Sequence, residues 1–153
     1  MRKARSQAVD DHAQINDILV NLFREILELE EKAIITEEFQ DISLNDMHII
    51  EAIGRGEGKN MSAIAKLLNI TVGSLTTSMN SLVNKKYAIR KRSEKDRRIV
   101  YIQLLEKGER AFCQHMKFHE KMTDAVVEEV PEEERKVLLR ALGRLKIFFK
   151  TWE

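Results

Sequence analysis

The feature of this sequence that most constrains its fold is a pair of short amphipathic helix patterns with almost no chain between them. Apolar residues recur at helical spacing in residues 61–68 and again in residues 72–85. Asn69 suits the left-handed position that closes many helices, and Thr71 suits the N-cap of the second helix. Two helices joined by so tight a turn predict a helix-turn-helix unit. The first pattern also predicts three buried side chains, Ile64, Leu67 and Leu68.

The apolar period changes from helical to alternating after the second of these helices. Residues 88–92 and 99–104 predict two strands, and the polar, charged segment 93–98 predicts the hairpin tip between them. A further short helix pattern precedes the pair, with Ser43 as its N-cap. Residues 43–105 are therefore predicted to form a winged helix-turn-helix, in which the hairpin is the wing.

Longer amphipathic helices flank this module. Residues 11–36 precede it and residues 106–152 follow it, with a break at Pro131 and three acids after the proline that suit a helix start. The module is too small to cover their apolar faces, so we expect those faces to pack against a second copy of the chain, the alternative being a monomeric bundle. The predicted fold class is mainly α with a small β-hairpin wing: one domain over residues 1–153, six helices, and a dimer through the N- and C-terminal helices.

The second helix of the pair has a polar face of unusual composition. On a helical wheel one side is apolar and consists of Val72, Leu75, Met79, Leu82 and Val83. The opposite side carries hydroxyls and amides with almost no charge, although 33% of the chain is charged. Short polar side chains let a helix approach the floor of the DNA major groove, whereas a merely serine- and threonine-rich surface helix would lose helix propensity without a reason. We therefore predict DNA contacts from Thr71, Ser74, Thr76, Thr77, Asn80, Ser81 and Lys85.

Basic residues are concentrated in the predicted hairpin. The net charge of the chain is only +1, yet residues 85–98 contain eight Lys or Arg and two acids. A basic segment on an otherwise acidic chain suits a polyanionic partner, and the alternative is a solvated charged loop. Phosphate or minor-groove contacts are predicted for Arg90, Arg92, Lys95, Arg97 and Arg98. Asp96 would repel DNA, so we expect it to stabilise the wing through an ion pair with Arg98 or Arg92.

The sequence carries no sign of catalysis, membrane insertion or secretion. It has no Gly-rich phosphate loop, no nucleophile with a matching base and no cofactor fingerprint. No apolar stretch approaches the roughly 20 residues of a membrane helix, and residues 1–11 do not resemble a signal peptide, so we expect a cytoplasmic protein. The single cysteine, Cys113, excludes an intrachain disulfide, and its predicted burial argues against redox sensing. A winged helix that binds only protein is disfavoured by the uncharged polar helix face and the basic hairpin.

Two segments resemble the MarR family of bacterial repressors. They are MSAIAKLLNITVGSLTTSMNSLVNKKY at residues 61–87 and RSEKDRRIVYIQLLEKG at residues 92–108, and the DRR at residues 96–98 is a strong mark of the family. The resemblance implies an obligate dimer through the first and last helices. It also implies a recognition helix in the major groove and a wing arginine, here Arg98, in the minor groove.

The chain departs from the family pattern at two positions. Most members have Gly where Lys86 stands and Thr where Leu105 stands. Lys86 is therefore expected to adopt an unfavourable backbone or to change the exit of the recognition helix. The helix after Leu105 is expected to lack a side-chain cap.

Within that family the chain is similar to the repressors of fatty-acid synthesis in low-GC Gram-positive bacteria, in residues 41–54, 71–82, 92–98 and 115–122. This resemblance implies repression of a type II fatty-acid-synthesis operon at a palindromic site, with long-chain acyl-acyl carrier protein as corepressor. An apolar slot between the first, second and fifth helices would suit a flexible acyl tail, and the alternative is an ordinary core. Its candidate lining residues are Ile26, Leu29, Met47, Ile50, Phe112, Met116 and Met122.

A regulator that senses zinc or another small ligand is the competing prediction. His115 and His119 stand four residues apart on one helix face, which is a good spacing for two metal ligands, and His48 is a candidate third. Lone histidine pairs are more often structural than ligating. The favoured prediction therefore has no metal and no cofactor, with acyl-acyl carrier protein as the corepressor.

Overall fold

The computed structural model describes the backbone of residues 2–94 and 96–152 and the side chains of residues 10–94 and 96–152. Its elements are α1 (Arg2–Ile34), α2 (Leu44–Ile53), β1 (Lys59–Asn60), α3 (Met61–Leu67), α4 (Val72–Asn84), β2 (Ala88–Arg92), β3 (Val100–Leu104), α5 (Glu106–Glu129) and α6 (Glu132–Lys150). The predicted mainly helical fold with six helices and a small wing is confirmed. The chain divides into two compact units, one up to Met116 and one from Lys117 onward, so the boundary falls within α5.

Side-chain caps begin the helices of the central module. Ser43 Oγ accepts a hydrogen bond from the N–H of Asp46, and the Asp46 carboxylate accepts one from the N–H of Ser43, both at 3.1 Å, which closes a capping box on α2. Thr71 accepts from the N–H of Ser74 at 3.0 Å and so caps α4, as predicted. Asn60 caps α3 in the same way. These caps fix the first residue of each helix.

Left-handed residues end α3 and α4. Asn69 has a φ of 55° and Lys86 a φ of 65°. At the end of α4, Tyr87 N–H donates to the Leu82 carbonyl at 2.9 Å and Lys86 N–H donates to the Val83 carbonyl at 3.2 Å, which is a Schellman motif. The prediction for Asn69 is confirmed. The unfavourable backbone expected at Lys86 is also present, at a cost of roughly 1–2 kcal/mol relative to a right-handed conformation.

The sheet has three antiparallel strands in the order β1–β3–β2, with Arg90 opposite Ile102. The sequence predicts the hairpin of β2 and β3, although β3 begins at Val100 and not at residue 99. It does not predict β1, because a strand of two residues shows no alternation. The close approach of β1 to β3 requires glycine at position 58. Gly58 has a φ of +87°, and a Cβ there would overlap the carbonyl group of Ile102.

The core of the first unit involves α2, α3, α4 and the sheet. Its fully buried large side chains include Met47, Ile50, Ile53, Ile64, Leu75, Met79, Leu82, Tyr87 and Ile102. Two side chains that the helical pattern assigns to the apolar, inward side are exposed to solvent. The exposed fraction is 63% for Leu67 and 41% for Val72. The buried arc of α3 is centred between Ile64 and Ala65, which turns Leu67 outward. Val72 is the first residue of α4 and precedes the turn that packs on the core.

Apolar side chains stay exposed along the two terminal helices. On α1 they are Ile15, Ile18, Val20, Leu22, Phe23, Leu27 and Leu29. On α6 they are Val137, Leu139, Leu142, Leu145, Ile147, Phe148 and Phe149, and no described residue of that helix is buried. No helix in the described part of the chain is both long and apolar enough to cross a membrane.

Candidate nucleic-acid interface

The polar face of α4 is open to solvent. Thr71, Ser74, Thr76, Thr77 and Asn80 are exposed, while Ser81 and Lys85 are half-buried. Two of these hydroxyls serve the helix itself, because Thr71 caps it and Thr76 Oγ1 donates to the Val72 carbonyl at 2.8 Å. Ser74 Oγ lies 2.8 Å from Thr71 Oγ1, so among the described residues Thr77 and Asn80 are the exposed members of this set whose side chains make no hydrogen bond within α4.

The wing presents its arginines to solvent beside this face. Arg90, Arg92, Arg97 and Arg98 are all exposed, and the fifth predicted cation, Lys95, lies outside the described residues. Arg90 Nη2 donates a hydrogen bond to Asn80 Oδ1 at 2.6 Å, so the wing contacts α4 through side chains. The polar helix face and the basic hairpin therefore form one continuous surface.

Hydrogen bonds to the backbone shape the wing tip. Ser93 N–H donates to the Ile99 carbonyl at 2.9 Å, and Ile99 N–H donates to the Asp96 carbonyl at 3.0 Å. Asp96 Oδ1 accepts from the backbone N–H of Arg98 at 3.0 Å, which is an Asx turn. The predicted ion pair of Asp96 with Arg98 or Arg92 is wrong for the described residues. In a tight turn, the donor nearest to an aspartate carboxylate is the backbone N–H two residues further along the chain. Asp96 therefore stabilises the wing by ordering the backbone at Arg98.

A buried tyrosine connects the end of α4 with the loop before α2 and with the start of α5. Tyr87 is fully buried, and its hydroxyl donates to Asp41 Oδ1 at 2.6 Å. Lys107 Nζ donates to Asp41 Oδ2 at 2.9 Å and lies 4.2 Å from the centroid of the Tyr87 ring. Lys85, predicted to contact DNA, donates to the backbone carbonyl of Asp41. Sequence reasoning missed this network because Asp41 and Lys107 are 66 residues apart.

The pKa shifts within this network define its protonation state. Burial raises the pKa of Tyr87, and the hydrogen bond to Asp41 raises it further. Burial also acts to raise the pKa of Asp41, but the hydrogen bonds from Tyr87 and Lys107 outweigh it and leave that pKa below its usual value. At neutral pH a protonated Tyr87 therefore donates to an ionised Asp41. Because the folded-state pKa of Asp41 is depressed, its contribution to stability is present above the usual carboxyl pKa and is lost as the pH falls through the lowered value.

The residues predicted to line an acyl slot are divided between core and surface. Met47 and Ile50 on α2 are fully buried. Leu29 on α1 and Met116 on α5 are 59% and 42% exposed. The half-buried members are Ile26, Phe112 and, in the second unit, Met122. The slot stays a prediction.

A buried carboxylate that sequence reasoning missed lies within hydrogen-bond distance of two of the three histidines predicted as metal ligands. Glu30 on α1 is 4% exposed, and its Oε1 lies 2.6 Å from His115 Nε2 and 3.4 Å from His48 Nε2. One ligand atom from each of the three residues lies within 4.8 Å of the others. The third predicted histidine, His119, belongs to the second unit. The signal that could have found Glu30 is an acid placed on the inward i, i+4 stripe of an amphipathic helix.

The fold and this surface define a winged helix-turn-helix protein, with α4 as its recognition helix and β2–β3 as its wing. A family model described as the MarR family matches residues 40–99. The HTH-type transcriptional regulator BilQ of Clostridium symbiosum is 33% identical over 111 residues, covering 70% of this chain and 76% of that protein. The chain belongs to the MarR family and is a DNA-binding transcriptional regulator.

Solved structures with DNA share this architecture. Streptococcus pneumoniae FabT in complex with DNA is 36% identical, with a TM-score of 0.84 over 91% of this chain and 97% of that one. S. aureus MepR in complex with DNA is 25% identical, with a TM-score of 0.63 over 82% of this chain and 94% of that one. The predicted resemblance to the MarR family is thereby confirmed, and the likeness to FabT extends over nearly the whole chain.

Proposed function

We propose that this chain forms a homodimer that represses transcription from a palindromic DNA site. The observation that carries the proposal is the exposed polar face of α4 joined to the basic wing, with Arg90 and Asn80 in contact at 2.6 Å. In this arrangement α4 enters the major groove with Thr77 and Asn80 facing the bases. The exposed wing arginines then meet phosphates and the minor groove.

The uncovered apolar faces of α1 and α6 support the homodimer. Leu139 and Ile147 on α6 are 70% and 69% exposed, and Phe23 on α1 is 58% exposed. Fully burying one such side chain contributes about 1.5–3 kcal/mol, so covering several of them on each chain would offset the entropy of association. A two-fold dimer presents two α4 helices, which suits half-sites roughly 34–36 Å apart.

Binding to a palindromic duplex is expected to be tight and strongly dependent on salt. A site selected from random duplexes should show two inverted half-sites, and raising the salt from about 50 to 200 mM should lower the affinity by about 10³-fold, since several phosphates are neutralised on each half-site. Fluorescence anisotropy on the palindrome, on one half-site alone, and on a version with five base pairs inserted at the centre measures this. Equal affinity for the single half-site and the palindrome would contradict the dimer.

We further propose that the repressed genes belong to type II fatty-acid synthesis and that a long-chain acyl group on acyl carrier protein is the corepressor. The likeness to FabT over 91% of this chain supports this proposal. So does the composition of the predicted slot, in which Met47 and Ile50 are buried on α2 and Phe112 packs against the same core. Methionine and phenylalanine side chains rearrange around a flexible apolar ligand at small cost.

Long-chain acyl-acyl carrier protein is expected to raise the affinity for the selected palindrome by about tenfold, a usual size for coupling between two sites. Carrier protein without an acyl chain is the control and should have little effect. Met116→Glu, which places a charge at an exposed residue predicted to line the slot, should remove the acyl effect and leave binding without carrier protein unchanged. An acyl group that leaves the affinity unaltered would contradict the corepressor.

The cluster of Glu30, His48 and His115 supports a second candidate function, a regulator that senses zinc. Two imidazole nitrogens and a carboxylate are ligands that zinc accepts, at about 2.0–2.2 Å each. Glu30 is hydrogen-bonded to His115 at 2.6 Å, which by itself satisfies a buried carboxylate. The same anisotropy assay separates the candidates: binding abolished by a chelator and restored by zinc favours metal sensing, and binding indifferent to chelation favours the acyl corepressor.

A further inference from the structure

One contact between the wing and the recognition helix involves side chains only. Arg90 stands on β2 and Asn80 on the outer face of α4, and both are exposed. Arg90 Nη2 lies 2.6 Å from Asn80 Oδ1. A charge-assisted hydrogen bond of this length is stronger than a neutral one and restrains both side chains.

The chemistry of the pair fixes which way the Asn80 amide points. A guanidinium group has five N–H donors and no acceptor, so the amide atom that faces Arg90 has to be the oxygen. The NH2 group of Asn80 is then directed away from Arg90. An asparagine without such a partner can rotate its amide and either donate to a base or accept from one.

We propose that Arg90 is a specificity-determining residue that acts through Asn80. With its oxygen engaged by Arg90, Asn80 meets the base edge as a hydrogen-bond donor. The acceptors on the major-groove edge are purine N7, guanine O6 and thymine O4, whereas cytosine presents only its N4–H2 donor. Arg90 therefore makes the helix select against cytosine at the base that Asn80 contacts, with purine N7 as the favoured partner. This inference rests on the proposed DNA reading by α4 and adds a residue from outside that helix to it.

Arg92 provides the matched control for charge. It lies two residues further along β2, so its side chain is on the same side of the strand as that of Arg90, and it is exposed. Arg92 has no hydrogen bond to α4 among the described residues. Loss of either arginine removes one positive charge from the wing, but only the loss of Arg90 frees the amide of Asn80.

The test compares base preferences by binding-site selection and by competition between duplexes. Asn80→Ala identifies the base pair that Asn80 contacts, as the position where preference disappears. The wild type is expected to disfavour cytosine there by about tenfold, the low end for a base-edge contact. Arg90→Ala should flatten this preference, Arg90→Lys should restore it because lysine also donates to the amide oxygen, and Arg92→Ala should lower affinity for all sequences alike. Circular dichroism melts confirm that each exposed-site variant is folded.

The outcomes separate the two levels of the proposal. If the wild type selects a palindrome and Arg90→Ala weakens every sequence equally with an unchanged preference at the Asn80 position, the role of Arg90 is refuted and DNA reading by α4 stands. If the wild type selects no sequence, both the proposed function and the role of Arg90 are refuted.

Discussion

Replacing Gly108 with alanine is expected to lower the free energy of unfolding by about 2–3 kcal/mol, within the range of overpacking substitutions. Gly108 lies in the first turn of α5, where a Cβ would fall far inside van der Waals contact with the carbonyl oxygen of Tyr87 and 3.0 Å from its carbonyl carbon. Tyr87 cannot easily move away. It is fully buried, its carbonyl accepts from Leu105 N–H at 2.9 Å, and its hydroxyl is held by Asp41.

Urea denaturation at fixed protein concentration measures this loss, and Gly73→Ala is the matched control. A Cβ at Gly73 meets only Thr71 Oγ1, at 3.7 Å, and Gly73 lies within α4. Alanine there should be neutral or stabilise the protein by up to about 1 kcal/mol, because glycine is the poorer helix former. Equal midpoints for Gly108→Ala and the wild type would show that α5 can shift away from Tyr87 at little cost.

The parts of the fold that the sequence predicts depend on interactions between near neighbours. The caps at Ser43 and Thr71 and the left-handed turn at Asn69 each involve residues within about one helical turn, so the local sequence specifies them. The polar face of α4 is predictable for a similar reason, because the helical period alone places Thr77 and Asn80 on one side.

The parts that the sequence does not predict depend on contacts between distant segments. Glu30 and His115 are 85 residues apart, and Asp41 and Tyr87 are 46 residues apart, so no periodic pattern relates them. The exposure of Leu67 follows from which side of α3 meets the core, which the seven residues of that helix do not determine alone. The hydrogen bond of Arg90 to Asn80 depends on how the wing folds back beside α4.

The replacement of Arg98 with alanine is expected to weaken binding to the palindrome by about 100-fold or more. Arg98 is exposed at the wing tip, and in the proposed complex its guanidinium contacts the DNA. A hydrogen bond to a charged group contributes roughly 1.5–3 kcal/mol, or about 10- to 100-fold in affinity, and a dimer loses this contact at both half-sites. Lys32→Ala, which removes one charge from the last turn of α1, controls for net charge and should change the affinity little.

Asp96 tests whether the position of Arg98 matters as well as its charge. If Asp96 acted on DNA only by electrostatic repulsion, Asp96→Ala and Asp96→Asn would both strengthen binding. Because Asp96 Oδ1 accepts from the backbone N–H of Arg98 at 3.0 Å, we expect Asp96→Ala to weaken binding despite removing a negative charge. Asp96→Asn keeps the accepting oxygen and should bind as tightly as the wild type or more tightly. Anisotropy titrations at one salt concentration compare the three chains, and tighter binding by Asp96→Ala would show that the Asx turn does not position the tip.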